Sequence, residues 1–372
     1  MDPSARDALL LDTARAHLPG LASVIAAADP EGRVTPRSQV LCAGLAVLAR
    51  SGYAALGGTR HAHAVGDAAA MLSLLTKIDD QVIDALEFHG GPLAARDPRE
   101  LDRRTRAYLG PTLASLRSGA PATDEPRCAL AADLGRRLHA LARATPERLD
   151  HLIATVAFGW EVQVRAVRVL SSDPTRVELA AVEAVTADIS GAWLLMVTMI
   201  GELPEDARRP LSPSEEAAFY AWGRSIQAAD AFADLGKDTA DGLVASLPGV
   251  LLAREHPSAW RAAFESGALA PLARGLVEAG IDRALLPDPA SLAARERALA
   301  GLGEVGPWLA WIHGFLRYRW LVDPVRPRLA EPTPDDPSDE AGRAWARGWQ
   351  RWLSAVAHEP TPEPQEPRCS AP

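Results

Sequence analysis

Residues 227–242 read QAADAFADLGKDTADG. Asp230, Asp234 and Asp238 recur at every fourth position, with Lys237 beside the last. At that spacing a helix stacks all three carboxylates on one face. Like charges at i,i+4 cost a helix about 0.2–0.5 kcal/mol per pair, so something must offset the repulsion. Solvent is one answer, since many exposed helices carry acidic runs; a divalent cation is the other. The rest of the helix bears on the choice. Gln227 and Lys237 share the acidic face, and toward the N-terminus the same face becomes Phe219, Tyr220, Gly223 and Ile226, with Trp222 at its edge. The opposite side holds Ala221, Ser225, Ala228, Phe232 and Leu235. At ~1.5 Å rise per residue the acidic patch lies about 10–16 Å from the aromatic one. That alignment suits a cavity with an acidic lip and a hydrocarbon-lined interior.

A matching group lies upstream. MLSLLTKIDDQVIDALEFHGG, residues 71–91, carries Asp79, Asp80 and Asp84. Asp80 and Asp84 share a face one turn apart, and the main apolar stripe (Met71, Leu74, Leu75, Ile78, Val82, Leu86) lies on the other side. Taken by itself this helix could show its carboxylates to water or to a polar-mouthed cavity. Carboxylates from two helices facing across a cavity can hold Mg²⁺, or Mn²⁺ in its place, together with substrate phosphate oxygens. The implied ligand has a diphosphate at one end and an apolar chain behind it. The metal would act as a Lewis acid on departing diphosphate, basic residues would add clamps, and aromatic faces would stabilise the allylic cation left behind.

Composition bounds the alternatives. The chain has 372 residues, is 48% hydrophobic and carries a net charge of −9, which argues against nucleic acid or an anionic membrane surface as the main partner. Cys42, Cys128 and Cys369 are far apart and odd in number, so neither a disulfide framework nor a thiolate metal site is expected. The first twenty residues lack the apolar stretch of a signal peptide, and no run is expected to span a membrane. The expectation is a cytoplasmic protein, monomer or homodimer, with peripheral membrane association left open.

Ala, Leu, Arg and Glu dominate and β-branched alternation is scarce, so the fold class is all-α. Helices are expected near 5–17, 37–51, 66–89, 98–117, 128–144, 147–171, 174–202, 213–240, 257–279, 290–322 and 338–356. Turn signals separate them, among them Gly90-Gly91-Pro92, Ser172-Asp173-Pro174 and Leu247-Pro248-Gly249. Residues 1–325 are expected to form a single helical domain, 326–340 a Pro/Asp-rich linker, 341–358 a C-terminal helix and 359–372 a Pro-rich disordered tail.

Both acidic helices contain Asp-x-x-x-Asp: Asp80-Gln-Val-Ile-Asp84 and Asp230-Ala-Phe-Ala-Asp234. This resembles the class I isoprenoid synthases of the squalene/phytoene synthase family, which join two prenyl diphosphates head to head. Gly223, Gln227, Asp230, Asp234, Asp238, Gly242 and Leu247-Pro248 resemble that family's second signature, Ile78-Asp79-Asp80 its first, and Ser190-Gly191-Ala192 its small-residue segment. The chain departs from the pattern at Ala233 and Leu243, where the family has Arg, and at Ala245, where it has Tyr; Lys77 stands in for an Arg before the first motif. The resemblance implies a helical bundle around a central cavity, with metal held by Asp80, Asp84, Asp230, Asp234 and Asp238. Lys77, Gln227, Lys237, Arg317 and Tyr318 would meet the diphosphate, with Arg317 and Tyr318 counted among the catalytic residues. Phe219, Tyr220, Trp222, Ile226, Gly191 and Trp193 would line the chain.

Terpene cyclases of the same fold compete. Asp230, Asp234, Lys237 and Asp238 match the spacing of their second motif, and Phe315-Leu316-Arg317-Tyr318 resembles their late Arg-Tyr pair. A third reading is a helical binding protein that kept the fold without turnover. Other signals carry less. His61 and His63 would diverge by roughly 200° on a helix, with no third ligand nearby in sequence. Gly52 to Gly58 resembles a phosphate loop only weakly, and no strand precedes it. Trp308 and its C-terminal neighbours read as packing residues.

Overall fold

The structure, a computed structural model, describes residues 3–34, 36–85, 88, 97–220, 231, 243–255, 257–266, 297–298, 300–301 and 306–316. Among them every regular element is helical and there is no strand. The elements are α1 (Pro3–Ala28), α2 (Pro36–Ala55), α3 (Ala62–Ile83), α4 (Pro98–Ser118), α5 (Pro126–Leu141), α6 (Pro146–Leu170), α7 (Leu179–Met199), α8 (Leu247–Glu255), α9 (Pro257–Ser266) and α10 (Gly306–Leu316). Helical turns also cover 213–220. The remainder of the expected 213–240 helix, apart from residue 231, lies outside the described residues, as do the 326–340 linker, the C-terminal helix and the tail.

Proline and capping residues explain most helix starts. Six of the ten helices named among the described residues open on Pro: α1, α2, α4, α5, α6 and α9. A first-turn Pro gives up no hydrogen bond there. Asp97 caps α4 by accepting from the Arg99 N–H at 2.9 Å, and Gly119 closes the helix in the left-handed region at φ 66. The expected turn at Leu247-Pro248-Gly249 is instead the first turn of α8. Pro248 sits where an N–H is not needed, and Val244, Ala245, Leu247 and Val250 are all buried.

α1 runs eleven residues beyond the expected end at 17, straight through Pro19. An interior Pro costs a helix about 3 kcal/mol. Ala14, His17, Leu21, Ile25 and Ala28 are buried at steps of three and four residues. Burying Leu21 and Ile25 alone contributes about 1.5–3 kcal/mol each, so packing offsets the break. α7 corrects the expectation in the other direction. It starts at Leu179, not 174, because Asp173 accepts from the Thr175 N–H and hydroxyl and holds a turn. With its 3₁₀ continuation, Leu179–Glu202 is long and apolar enough to cross a membrane, but 72% of its most apolar window is buried inside the protein. Its apolar character serves the core.

α3 is the central helix. It packs on α2 and α5 and also touches α1 and α7, and Ala68 to Leu75 are buried without interruption. The main core joins α1 through α7 with Phe219, Trp260 and Trp308. Trp308 donates to the Ser51 hydroxyl at 3.1 Å and lies 5.4 Å from the Phe219 ring. The glycine-rich 52–58 stretch ends α2: Gly57 turns the chain at φ 84, and the Gly58 N–H returns to the Tyr53 carbonyl at 2.9 Å.

Where α5 crosses the end of α4, a Cβ on Gly135 would stand 2.3 Å from the Leu116 carbonyl oxygen. Backbone cannot yield cheaply. Gly135→Ala is therefore expected to destabilise by about 1–3 kcal/mol. Gly110, also in α4, has nothing within 4 Å of the same position, and Gly110→Ala is expected to stabilise by about 0.5–1 kcal/mol. Urea unfolding midpoints of the two variants should shift in opposite directions.

Candidate metal-binding turn and its surroundings

The last turn and a half of α3 separates its carboxylates by depth. The Lys77 ammonium donates to Asp80 Oδ2 at 2.6 Å, and the two side chains are 35% and 33% exposed. Asp84 is the C-cap residue, half-buried, and its N–H bonds the Asp80 carbonyl at 2.9 Å. The helix was expected to run to 89 and ends six residues earlier. Asp80 and Asp84 therefore sit at the negative end of the helix dipole, where no basic residue occupies the last turn. Each such carboxylate costs about 0.3–1 kcal/mol, on top of their mutual repulsion. The Lys77 ammonium offsets part of this at Asp80, and a divalent cation between the two carboxylates would offset the rest.

Asp79 points the other way. It is 2% exposed, and its polar neighbours are the Tyr108 hydroxyl and a guanidinium. The Arg127 guanidinium of α5 lies 3.8 Å away, itself 7% exposed. Arg127 also donates to the Tyr108 carbonyl at 2.7 Å and the Thr112 hydroxyl at 2.6 Å, and its guanidinium carbon stands 3.6 Å from the Tyr108 ring centroid. Burial pushes Asp79 up to about 7, against the pull of Arg127. The expected apolar stripe holds at Met71, Leu74, Leu75 and Ile78, but beyond them Ile83 is buried while Val82 is only half-buried. Asp79 and Ile83, one turn apart, thus complete the inner face.

A second group gathers between α7 and residues 219–220. Gly191 lies against Tyr220, where a Cβ would fall 3.1 Å from the ring. The Tyr220 hydroxyl is shielded and has no hydrogen-bond partner among the described residues. Burial pushes it up to about 12, with the Asp188 charge adding to the rise. Phe158 lies 6.1 Å from the Tyr220 ring and is the exposed large apolar side chain of this region, at 43%. Trp193 is half-buried, whereas Phe219 turns into the core against Trp308. Gly191 and Tyr220 are thus brought together, with the ring filling the space over Gly191 that the small-residue reading reserves for a substrate chain, while Phe219 serves packing.

Asp230, Asp234 and Asp238, with Gln227, Lys237, Trp222 and Ile226, lie outside the described residues, as do Arg317 and Tyr318. A groove of about 310 Å³ lies where α4 begins and α6 ends, walled by residues such as Pro98, Leu101, Arg168 and Arg176. Its walls hold none of the residues assigned above, and its two arginines pair with Asp102 and Asp173. Cys42 is buried, which pushes its thiol up to about 12 and leaves it inert.

The histidine pair has a different geometry from the expected one. His63 finds its partners in Asp67, one turn along α3, and in His17 of α1. The His63-x-x-x-Asp67 spacing is visible in the sequence; the approach of His17 needs the fold. Comparison with family profiles, with curated proteins and with solved structures gives no match to this chain.

Proposed function

We propose that the chain is a Mg²⁺-dependent class I isoprenoid synthase that ionises an allylic prenyl diphosphate and joins it head to head to a second one. The observation that carries this reading is the Asp80–Asp84 pair, crowded at the negative end of α3 with Lys77 beside it. Such a turn is costly in isolation and suits a metal–diphosphate complex. Asp230, Asp234 and Asp238, at i,i+4 spacing in the sequence, would supply the second set of carboxylates. Bound Mg²⁺ would supply Lewis-acid neutralisation of the leaving diphosphate. Lys77, Lys237, Arg317 and Tyr318 bind and orient the diphosphate oxygens. The Tyr220 ring, which covers Gly191, would give the allylic chain an aromatic face.

The test is to supply labelled prenyl diphosphates of several chain lengths with Mg²⁺ or Mn²⁺ and to follow both diphosphate release and product. A product with twice the carbons supports the head-to-head reading. Release of diphosphate with unchanged carbon number assigns the chain to the cyclases, which the Asp230/Asp234/Lys237/Asp238 spacing also fits. No release with any substrate or either metal rejects the enzyme reading and leaves a binding protein.

A further inference from the structure

His17, His63 and Asp67 form a second polar cluster, on the far part of α3 from Asp80. Their ligand atoms all lie within 4.8 Å of one another. His17 Nδ1 is 2.7 Å from Asp67 Oδ1, and His63 Nε2 is 3.5 Å from Asp67 Oδ2. The two imidazoles stack with centroids 5.0 Å apart. A tetrahedral site with bonds of about 2.0–2.1 Å sets its ligand atoms about 3.3–3.4 Å apart; the His63–Asp67 edge at 3.5 Å is close to that value, and the His17–Asp67 edge, drawn in to 2.7 Å by a hydrogen bond, opens when an ion replaces the shared proton. The third closes by a turn of His63, whose side chain is 71% exposed.

The site is built, not a chance meeting of surface groups. His17 is fully shielded, with a side-chain exposure of 0%. It occupies a slot left by Gly66: a Cβ there would stand 2.3 Å from His17 Cε1 and Nε2. His63 and Asp67 are one turn apart on α3, the spacing at which a helix offers two ligands to one ion. Asp67 is held below the usual carboxylate range: burial works to raise it, but the His17 hydrogen bond and the charges of His63 and Arg137 outweigh that. It is therefore an anion over the whole neutral range.

We infer that His17 Nδ1, His63 Nε2 and the Asp67 carboxylate form a binding site for one divalent transition-metal ion of the zinc class. Two imidazoles and a carboxylate suit Zn²⁺, Co²⁺ or Ni²⁺ over Mg²⁺, which prefers all-oxygen shells. Three protein ligands leave a fourth position for water at the solvent side, where His63 emerges. The ion ties α1 to α3. Two arginines limit its affinity. Arg50 approaches His17 Nε2 at 3.4 Å and Arg137 lies 4.0 Å from Asp67 Oδ2. With Arg50 donating to Nε2, His17 carries its proton on Nδ1, toward Asp67. Metal binding takes that proton's place; the proton moves to Nε2 or to solvent, and the long, weak Arg50 contact gives way. This site and the Asp80–Asp84 turn are independent, so either can fail alone.

The test uses the full chain without a histidine tag, stripped with chelator and titrated with Co²⁺ at pH 7.5. Expected are one ion per chain, visible d–d absorption of a four-coordinate site, and a rise in melting temperature as the ion bridges α1 and α3. His63→Ala, which lies at the surface, should fold normally and weaken binding at least tenfold. Asp67→Asn should do the same, and Arg137→Gln should tighten binding. The chain has nine histidines, so the variants decide the location. No saturable binding below about 100 µM, or binding that survives both His63→Ala and Asp67→Asn, overturns the inference.

Discussion

Arg127→Ala lowers the free energy of unfolding by about 3–5 kcal/mol at pH 8, and by clearly less at pH 5. The size follows from what the guanidinium faces. Arg127 and Asp79 are 7% and 3% exposed and 3.8 Å apart, and the other polar group that stabilises the Asp79 carboxylate is the Tyr108 hydroxyl. Removing the arginine leaves the Asp79 carboxylate in the core with no countercharge, only the Tyr108 hydroxyl beside it, and releases Glu125, which the guanidinium holds at 2.6 Å. It also strips the Tyr108 carbonyl and the Thr112 hydroxyl of a donor. The pH dependence follows from the carboxyl. In the folded chain Asp79 keeps its proton up to about pH 7, while an unfolded aspartate loses it near ~3.9. Between those values the folded state binds more protons. This group's contribution is therefore full below about pH 4 and is lost as pH rises through 7. In Arg127→Ala the carboxyl rises further, so the variant is penalised most where Asp79 must ionise. Asp79→Asn should flatten the difference between pH 5 and pH 8, and in the double variant it should recover the pH-dependent part of the loss. Urea unfolding of the four proteins at both pH values measures this. A penalty of the same size at pH 5 and pH 8 would show that the ionisation of Asp79 is not what Arg127 stabilises.

Asp79 also marks the limit of what periodicity can say. The helical pattern of α3 is plain from Met71, Leu74, Leu75 and Ile78, and all four are buried. The stripe predicts Val82 as the next inward residue, but the inner face passes through Asp79 to Ile83. A wheel counts hydrophobicity and cannot see that Arg127, forty-eight positions later, stands ready to match a carboxylate. The end of α1 was hidden for a related reason. Pro19 is a local stop signal, and only the burial of Leu21 and Ile25 against neighbouring helices overrides it. Turn chemistry misled in the opposite sense at Leu247-Pro248-Gly249, where a Pro suited to breaking a helix was placed to begin one. The His17–His63–Asp67 cluster was half legible, because two of its side chains lie on one helix and the third comes from another. The all-helical class was legible throughout, since it depends on composition and period, which are local.

Asp80→Ala and Asp84→Ala should each cut Mg²⁺-dependent diphosphate release by about 10²–10³-fold or more, the scale of removing one preorganised electrostatic contact to a transition state. Neither should unfold the chain. Asp80 is one-third exposed and Asp84 half-buried, and both stand where a negative charge opposes the dipole of α3. Truncation relieves that cost and at Asp80 gives up the part-exposed Lys77 pair, so stability should stay within about 1 kcal/mol of the parent. Activity and stability are thereby uncoupled, which a structural role for the two residues does not allow. The Mg²⁺ dependence adds a second readout: where a ligand has been removed, residual activity should need a higher Mg²⁺ concentration. Lys77→Met separates the neighbouring contribution. Its ammonium now bonds Asp80 at 2.6 Å, and against a bound diphosphate it is a clamp for the anion. Losing it should raise KM for the prenyl diphosphate while leaving the Mg²⁺ requirement unchanged or lower. If the Asp80 and Asp84 variants turn over at the parental rate, the acidic turn is a solvated helix end. If they unfold, the turn is part of the architecture, and the metal assignment loses its support on α3.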